Sequence, residues 1–181
     1  MTDYTIHNIE TAPEQSKPLL EGSQKSFGMI PNLHGVMAES PQLLEGYQLL
    51  HGLAQKTAFD AEELTVVWQS INVEHACHYC VPAHTGIAKS MNVDDKVIDA
   101  VRNETAFEND KLNVLRSTTL EILAERGHLS PQQQQAFFEA AYTNQHILDI
   151  VLILSQKVMS NYVNHLAETP LDKPFQAFEW Q

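Results

Sequence analysis

From residue 40 onward, apolar residues recur at three- and four-residue steps, the spacing that lines up one face of an α-helix. Ser40-Pro41 reads as an N-cap followed by proline at the first helical position. It opens a helix through Leu43, Leu44, Tyr47, Leu50 and Leu53. Asp60 and Glu63 have the spacing of a capping box and start a helix that turns Leu64, Val67, Trp68 and Ile71 inward. A further helix follows the cysteine region, and Asn92 or Asp94 caps a short one through Val97, Ile98 and Val101. Lys111 to Arg126 carries Leu112, Leu115, Thr119 and Ile122 on one side, widened by Leu120 and Leu123, and stops at Gly127. Ser130-Pro131 with Gln133 begins the next and is expected to bury Phe137, Phe138 and Ala141; the last long helix runs from about Asn144 to Leu166. Strand signals are nearly absent. The pattern predicts an all-α bundle of about seven helices.

The flanks read differently. Residues 1–39 hold Pro13, Pro18, Gly22, Gly28 and Pro31, turn formers that suggest an extended N-terminal arm with room for one short helix. Residues 40–169 make the helical domain. Residues 170–181 form a tail whose Phe175, Phe178 and Trp180 are expected to dock on the body or on another subunit. A length of 181 residues fits a single domain, and a hydrophobic fraction of 43% suffices for its core. Eleven Lys and Arg against 23 Asp and Glu leave a net charge of −12, which repels phosphate backbones and anionic headgroups and disfavours nucleic acid and membrane surfaces as partners. The N-terminal stretch lacks the basic and apolar regions of a secretory signal. The apolar run Ile147 to Leu154 is too short to span a bilayer, so a cytoplasmic protein is expected.

That compartment changes how the cysteines read. There are two, Cys77 and Cys80, in the stretch V-E-H-A-C-H-Y-C-V-P-A-H-T. In a reducing compartment one close pair points to redox or metal chemistry, and a disulfide closing so small a loop would stabilise little. Pro82 is tolerated in a helix only near its first turn, so the preceding helix should end near His75 and a new one begin around Cys77 to Tyr79. The pair then sits at a helix N-terminus, where unsatisfied N–H groups and the dipole favour a thiolate. Residues three apart on one turn are close enough to form a disulfide. His84, one turn beyond Cys80, is placed to accept the thiol proton directly or through water. Glu74, just before the pair, is a candidate to orient an imidazole or shuttle protons. Glu63 has a structural explanation in its cap. His75 and His78 stay unassigned, and His34, His51, His128, His146 and His165 are scattered. Two other uses of the same residues stand beside redox catalysis: a zinc module built from Cys77, Cys80, His84 and His75 or His78, and a non-enzymatic redox sensor.

The C-x-x-C-x-x-x-H signature, here Cys77, Cys80 and His84, resembles the AhpD-like alkyl hydroperoxidase branch of the carboxymuconolactone decarboxylase superfamily. F-G-M-I-P-N-L (Phe27 to Leu33) followed by S-P-Q-L-L-E-G-Y is similar to the opening of its peroxidase-related subgroup. The resemblance covers about residues 27 to 125. It implies an all-α fold assembling into trimers or hexamers, no bound cofactor, and a hydroperoxide substrate. It also implies that Cys80 attacks the peroxide, that Cys77 condenses with the resulting sulfenic acid, and that His84 activates Cys80. The disulfide would be reduced by an external dithiol, a lipoyl or thioredoxin-like protein. The chain departs from the family at two points. The family's relay glutamate, about a dozen residues before the first cysteine, falls here at Thr65 near Glu63, leaving Glu74 as the nearer acidic substitute. The family's histidine before the second cysteine is Tyr79.

Overall fold

The computed structural model describes residues 4–181; residues 1–3, the start of the N-terminal arm and of the stretch read against a secretory signal, lie outside them. Among the described residues the chain forms α1 (Lys17–Phe27), α2 (Asn32–Met37), α3 (Pro41–Ala54), α4 (Ala61–Glu74), α5 (Cys80–Ser90), α6 (Asp95–Arg102), α7 (Asp110–Ala124), α8 (Pro131–Glu139) and α9 (Asn144–Ala167). A 3-10 helix, Lys173–Phe178, closes the chain, and the described residues contain no strand. None of these helices is long and apolar enough to cross a membrane.

Helix α4 is the axis. Asp60 accepts from the Glu63 N–H at 2.9 Å and Glu63 returns an acceptor to the Asp60 N–H at 3.1 Å, so both ends of the capping box close. Every residue from Glu63 to Val73 is buried, because α5, α6, α7 and α9 surround the helix. Val67, Trp68 and Ile71 pack with Leu115 and Ile122 of α7, Phe137 of α8, and Ile150 and Ile153 of α9. Phe138, expected inside, is 40% exposed, and Ala141 lies beyond the end of α8 with φ at +65°. The left-handed turn there ends the helix before its apolar stripe is complete.

The expected seven helices are α3 to α9. The additional two lie in the segment read as an extended arm, where the turn formers bound helices instead of preventing them. Pro18 sits in the first turn of α1, where its missing N–H costs nothing, and Gly28 stops that helix with φ at +72°. Pro31 precedes α2. Leu20, Leu33 and Met37 from these helices join Leu44 and Tyr47 of α3 in a second apolar cluster that also contains Cys77, Tyr79, Cys80 and Ala83.

The C-terminal tail docks on its own body. Arg102 donates to the carbonyls of Phe178 and Glu179, both at 3.1 Å, and the Trp180 indole donates to the Arg102 carbonyl at 3.0 Å. Gly86 lets this strap lie against α5: a Cβ there would meet the Phe175 ring at 2.8 Å. Tyr79 donates to Asp172, which also accepts from the Asn32 N–H at 3.0 Å, and the Tyr79 hydroxyl accepts from the Leu33 N–H at 3.3 Å. Tail, α2 and cysteine loop are thereby tied at one point.

Candidate functional site

The cysteine loop is shaped by a single reversal. Helix α4 ends at Glu74, Ala76 takes φ of +48°, and the Cys77 N–H turns back to the Asn72 carbonyl at 3.0 Å. Helix α5 then starts at Cys80, just past the Cys77 to Tyr79 range expected, with Pro82 inside its first turn and Cys77 in the loop before it. The Cys77 sulfur accepts from the Cys80 N–H at 3.2 Å, occupying the place of a cap at a helix start that has no other side-chain cap. Both cysteines are free thiols and both are buried.

The two sulfurs face different spaces. Cys80 lines a cavity of about 100 Å³ with Leu33, Tyr47, Ala83, Ile87 and Phe175, together with His34, His51, His84 and Lys157. Cys77 lines a separate groove with His78, Asn164, His165, Glu168 and Thr169. Burial opposes ionisation of Cys80, but the neighbouring Cys77 thiol, the Lys157 ammonium and the amides of Asn164 and Asn161 outweigh it and bring Cys80 down to about 6. Asn164 donates to the Cys80 sulfur at 3.2 Å. Cys77 goes the other way, its thiol pushed up first by its bond to Cys80 and then by burial. The thiolate of this coupled pair therefore resides on Cys80, the sulfur that looks into the cavity.

Lys157 is wholly buried, and its Nζ lies 2.9 Å from His84 Nε2. Burial lowers the lysine, while Cys80 and Cys77 pull it back toward the charged form. His84 is held well below the ordinary imidazole value, first by burial and then by Lys157 and His51, so it is neutral at pH 7. His34 and His51 are pushed down to about 4, mainly by burial. The His84 ring packs edge-on against Trp68 at 4.9 Å, which fixes its plane.

Of the residues singled out from sequence, Cys77, Cys80 and His84 are brought together. Among the described residues no hydrogen bond joins His84 to either sulfur, where a direct proton acceptor for Cys80 was expected; its partner is Lys157. Glu74 is not brought to the cavity. It is exposed at the end of α4 and opens on another groove with Glu104 and Arg116, because α4 has turned its last carboxylate to the side opposite the cysteine loop. Glu63 stays in its cap, paired with Lys111 at 2.7 Å. His75 bonds Asn161 at 2.8 Å, and the exposed His78 meets the Trp180 carbonyl at 3.1 Å. Among the described residues no three His, Cys, Asp or Glu side chains converge as a metal site, so the zinc alternative lacks a ligand set. Tyr79 is spent on Asp172 and Leu33.

Helix α9 supplies what sequence reading missed. Gln156, Lys157, Ser160, Asn161 and Asn164 are all buried and continue the stripe begun by Ile150 and Ile153. Asn161 donates to Asn72 at 3.0 Å, Asn72 to Gln69 at 2.9 Å, and Gln69 to the Val81 carbonyl at 3.0 Å, a chain of amides that pins α9, α4 and α5 around the cysteines. The signal was present in the sequence: a lysine and two asparagines occupy positions that helical periodicity assigns to the buried face.

The described residues form an all-helical fold with a cysteine pair at the start of a helix, beside a buried lysine–histidine pair. Comparison with known proteins then narrows the fold. No family model and no curated protein matches the chain. Solved structures do. A structure described as alkylhydroperoxidase AhpD core, an uncharacterized peroxidase-related protein from Ralstonia eutropha JMP134, superposes with a TM-score of 0.83 at 18% identity, over 95% of this chain and 93% of that one. An uncharacterized peroxidase-related protein from Silicibacter sp. TM1040 gives 0.79 at 14% identity, over 97% and 96%. A variant of the debrominase Bmp8 in complex with 2,3,4-tribromopyrrole gives 0.79 at 17% identity, over 98% and 95%. The chain has the AhpD-like fold.

Proposed function

We propose that this protein is a thiol peroxidase of the AhpD-like, carboxymuconolactone decarboxylase superfamily, working without a cofactor. The observation that carries the reading is the placement of Cys80, with its lowered titration, on the wall of an apolar cavity while Cys77 stands behind it. A hydroperoxide enters the cavity and its outer oxygen is attacked by the Cys80 thiolate, giving a sulfenic acid. Cys77 condenses with that sulfur to a disulfide and water leaves. An external dithiol on a lipoyl or thioredoxin-like protein restores both thiols, with the groove beside Cys77 as its approach. A cavity of about 100 Å³ suits a small hydroperoxide, since pockets for drug-sized ligands run to roughly 300–1,000 Å³. Exposed Leu148, Val151, Tyr162 and Leu166 along α9 support a homo-oligomer, a trimer or hexamer, and the cytoplasm supplies the reductants.

The test is turnover of an organic hydroperoxide with a dithiol by the purified chain and by its Cys80→Ser variant. Turnover is expected in the first and lost in the second. A variant that still turns over rejects the reading, and slow, substoichiometric oxidation of the parent favours a sensor. The likeness to a debrominase, together with the aromatic and apolar cavity wall, supports a second reading in which the dithiol–disulfide couple removes halogen from a small aromatic ring. Release of bromide from a brominated pyrrole under the same conditions distinguishes it.

A further inference from the structure

Lys157 enters the proposed cycle so far only as a charge that favours the Cys80 thiolate. It is fully buried, its hydrogen-bond partner is an imidazole, and among the described residues no carboxylate lines its cavity, so its ammonium form has no carboxylate to balance it there. Such a charge is costly unless compensated. The groups facing it are Cys80 and His84 on α5, Cys77 in the loop before it, and His51 and Tyr47 on α3; of these, the thiolate is the anion that balances it. An ammonium can only donate, so with Lys157 charged the bond to His84 Nε2 puts the ring proton on Nδ1, which has no partner among the described residues. His84 thus holds the ammonium in position without taking its proton.

We propose that Lys157 is a catalytic residue that protonates the leaving oxygen of the peroxide, with His84 as its positioning residue; this rests on the peroxidase reading. When the Cys80 sulfur bonds to the outer oxygen, the O–O bond breaks and its electron pair leaves on the alkoxide. The same event consumes the thiolate, the counter-charge of Lys157. The ammonium is then left in a desolvated site with no anion except the alkoxide, and its proton passes there. The Cys77 sulfur next attacks the sulfenic sulfur, and hydroxide leaves with the Cys77 proton as water. Thiolate, thiol, ammonium and hydroperoxide have become disulfide, amine, alcohol and water, with net charge zero on both sides. The trigger is electrostatic: the acid is strengthened by the step that needs it.

The test separates leaving groups. Reduced protein is oxidised in a single turnover by tert-butyl hydroperoxide, whose alkoxide needs a proton, and by peracetic acid, whose acetate does not. Rates are normalised to the thiolate fraction of each variant, measured by alkylation. Lys157→Met, close in shape, is expected to slow the alkyl hydroperoxide about 100-fold or more and the peracid little. Equal slowing of both overturns the proposal. Because substitution of a buried lysine can disturb folding, a second measurement uses the parent protein with alkyl hydroperoxides whose alcohols span a range of acidity: a proton delivered as the O–O bond breaks makes the oxidation rate depend only weakly on that acidity. A steep dependence shows that the alkoxide leaves unprotonated and overturns the role. Parent protein oxidised by neither reagent sinks the peroxidase reading itself, and this inference with it.

Discussion

Replacing Asn164 by alanine removes the amide that donates to the Cys80 sulfur at 3.2 Å, and its structural side-effects are small because Asn164 Oδ1 has no partner to lose among the described residues. A hydrogen bond to a charged group contributes about 1.5–3 kcal/mol. At about 1.4 kcal/mol per pKa unit, losing it moves the thiol up by about 1–2 units. The Cys80 midpoint should rise from about 6 to the range of roughly 7–8. At pH 7 the thiolate fraction would fall from about nine-tenths to between about a half and a tenth, slowing alkylation roughly 2- to 10-fold. The assay is the pH–rate profile of iodoacetamide alkylation of reduced protein, with the site assigned by peptide mass. A stability signature accompanies it. Cys80 has a folded value below the ordinary 9.0, so its contribution is fully present above 9.0 and is lost as pH falls through about 6. In the variant that loss should finish at higher pH. An alkylation midpoint unchanged from the parent would refute the assignment of the thiolate to the sulfur that Asn164 touches.

Tyr79→Phe leaves Asp172 with the Asn32 N–H and takes the acceptor from the buried Leu33 N–H, a loss of about 2–4 kcal/mol. In a chain of this size the melting temperature should drop by roughly 5–15 °C, and a shift below about 2 °C in a thermal scan would show that the contact is not holding the tail. Glu74→Gln should leave the Cys80 alkylation profile where it is, because Glu74 opens on a different groove. A displaced profile would restore that carboxylate to the proton relay.

The helical class, the seven central helices and the start of α5 were legible because each rests on local rules. Apolar spacing sets a helix face, Asp60 and Glu63 cap across three residues, and Pro82 admits only the first turn. The pairing of Cys77 with Cys80 is equally local. Beyond that range the sequence fell silent or misled. Pro18, Gly28 and Pro31 suggested an extended arm, yet each also fits a helix boundary, and the burial of Leu20, Leu33 and Met37 decided between the two. Glu74 and His84 stand at similar distances along the chain from the cysteines, but α4 turns one away while α5 carries the other inward. Lys157, Asn161 and Asn164 lie some eighty residues from the cysteines. That they gather around Cys80 and His84 follows from how α9 packs across α4 and α5, a long-range arrangement that no local rule along the chain fixes. Local chemistry along the chain determined that the cysteine pair would stand at a helix start; only the tertiary packing decided which sulfur opens on the cavity and which lysine stands beside His84.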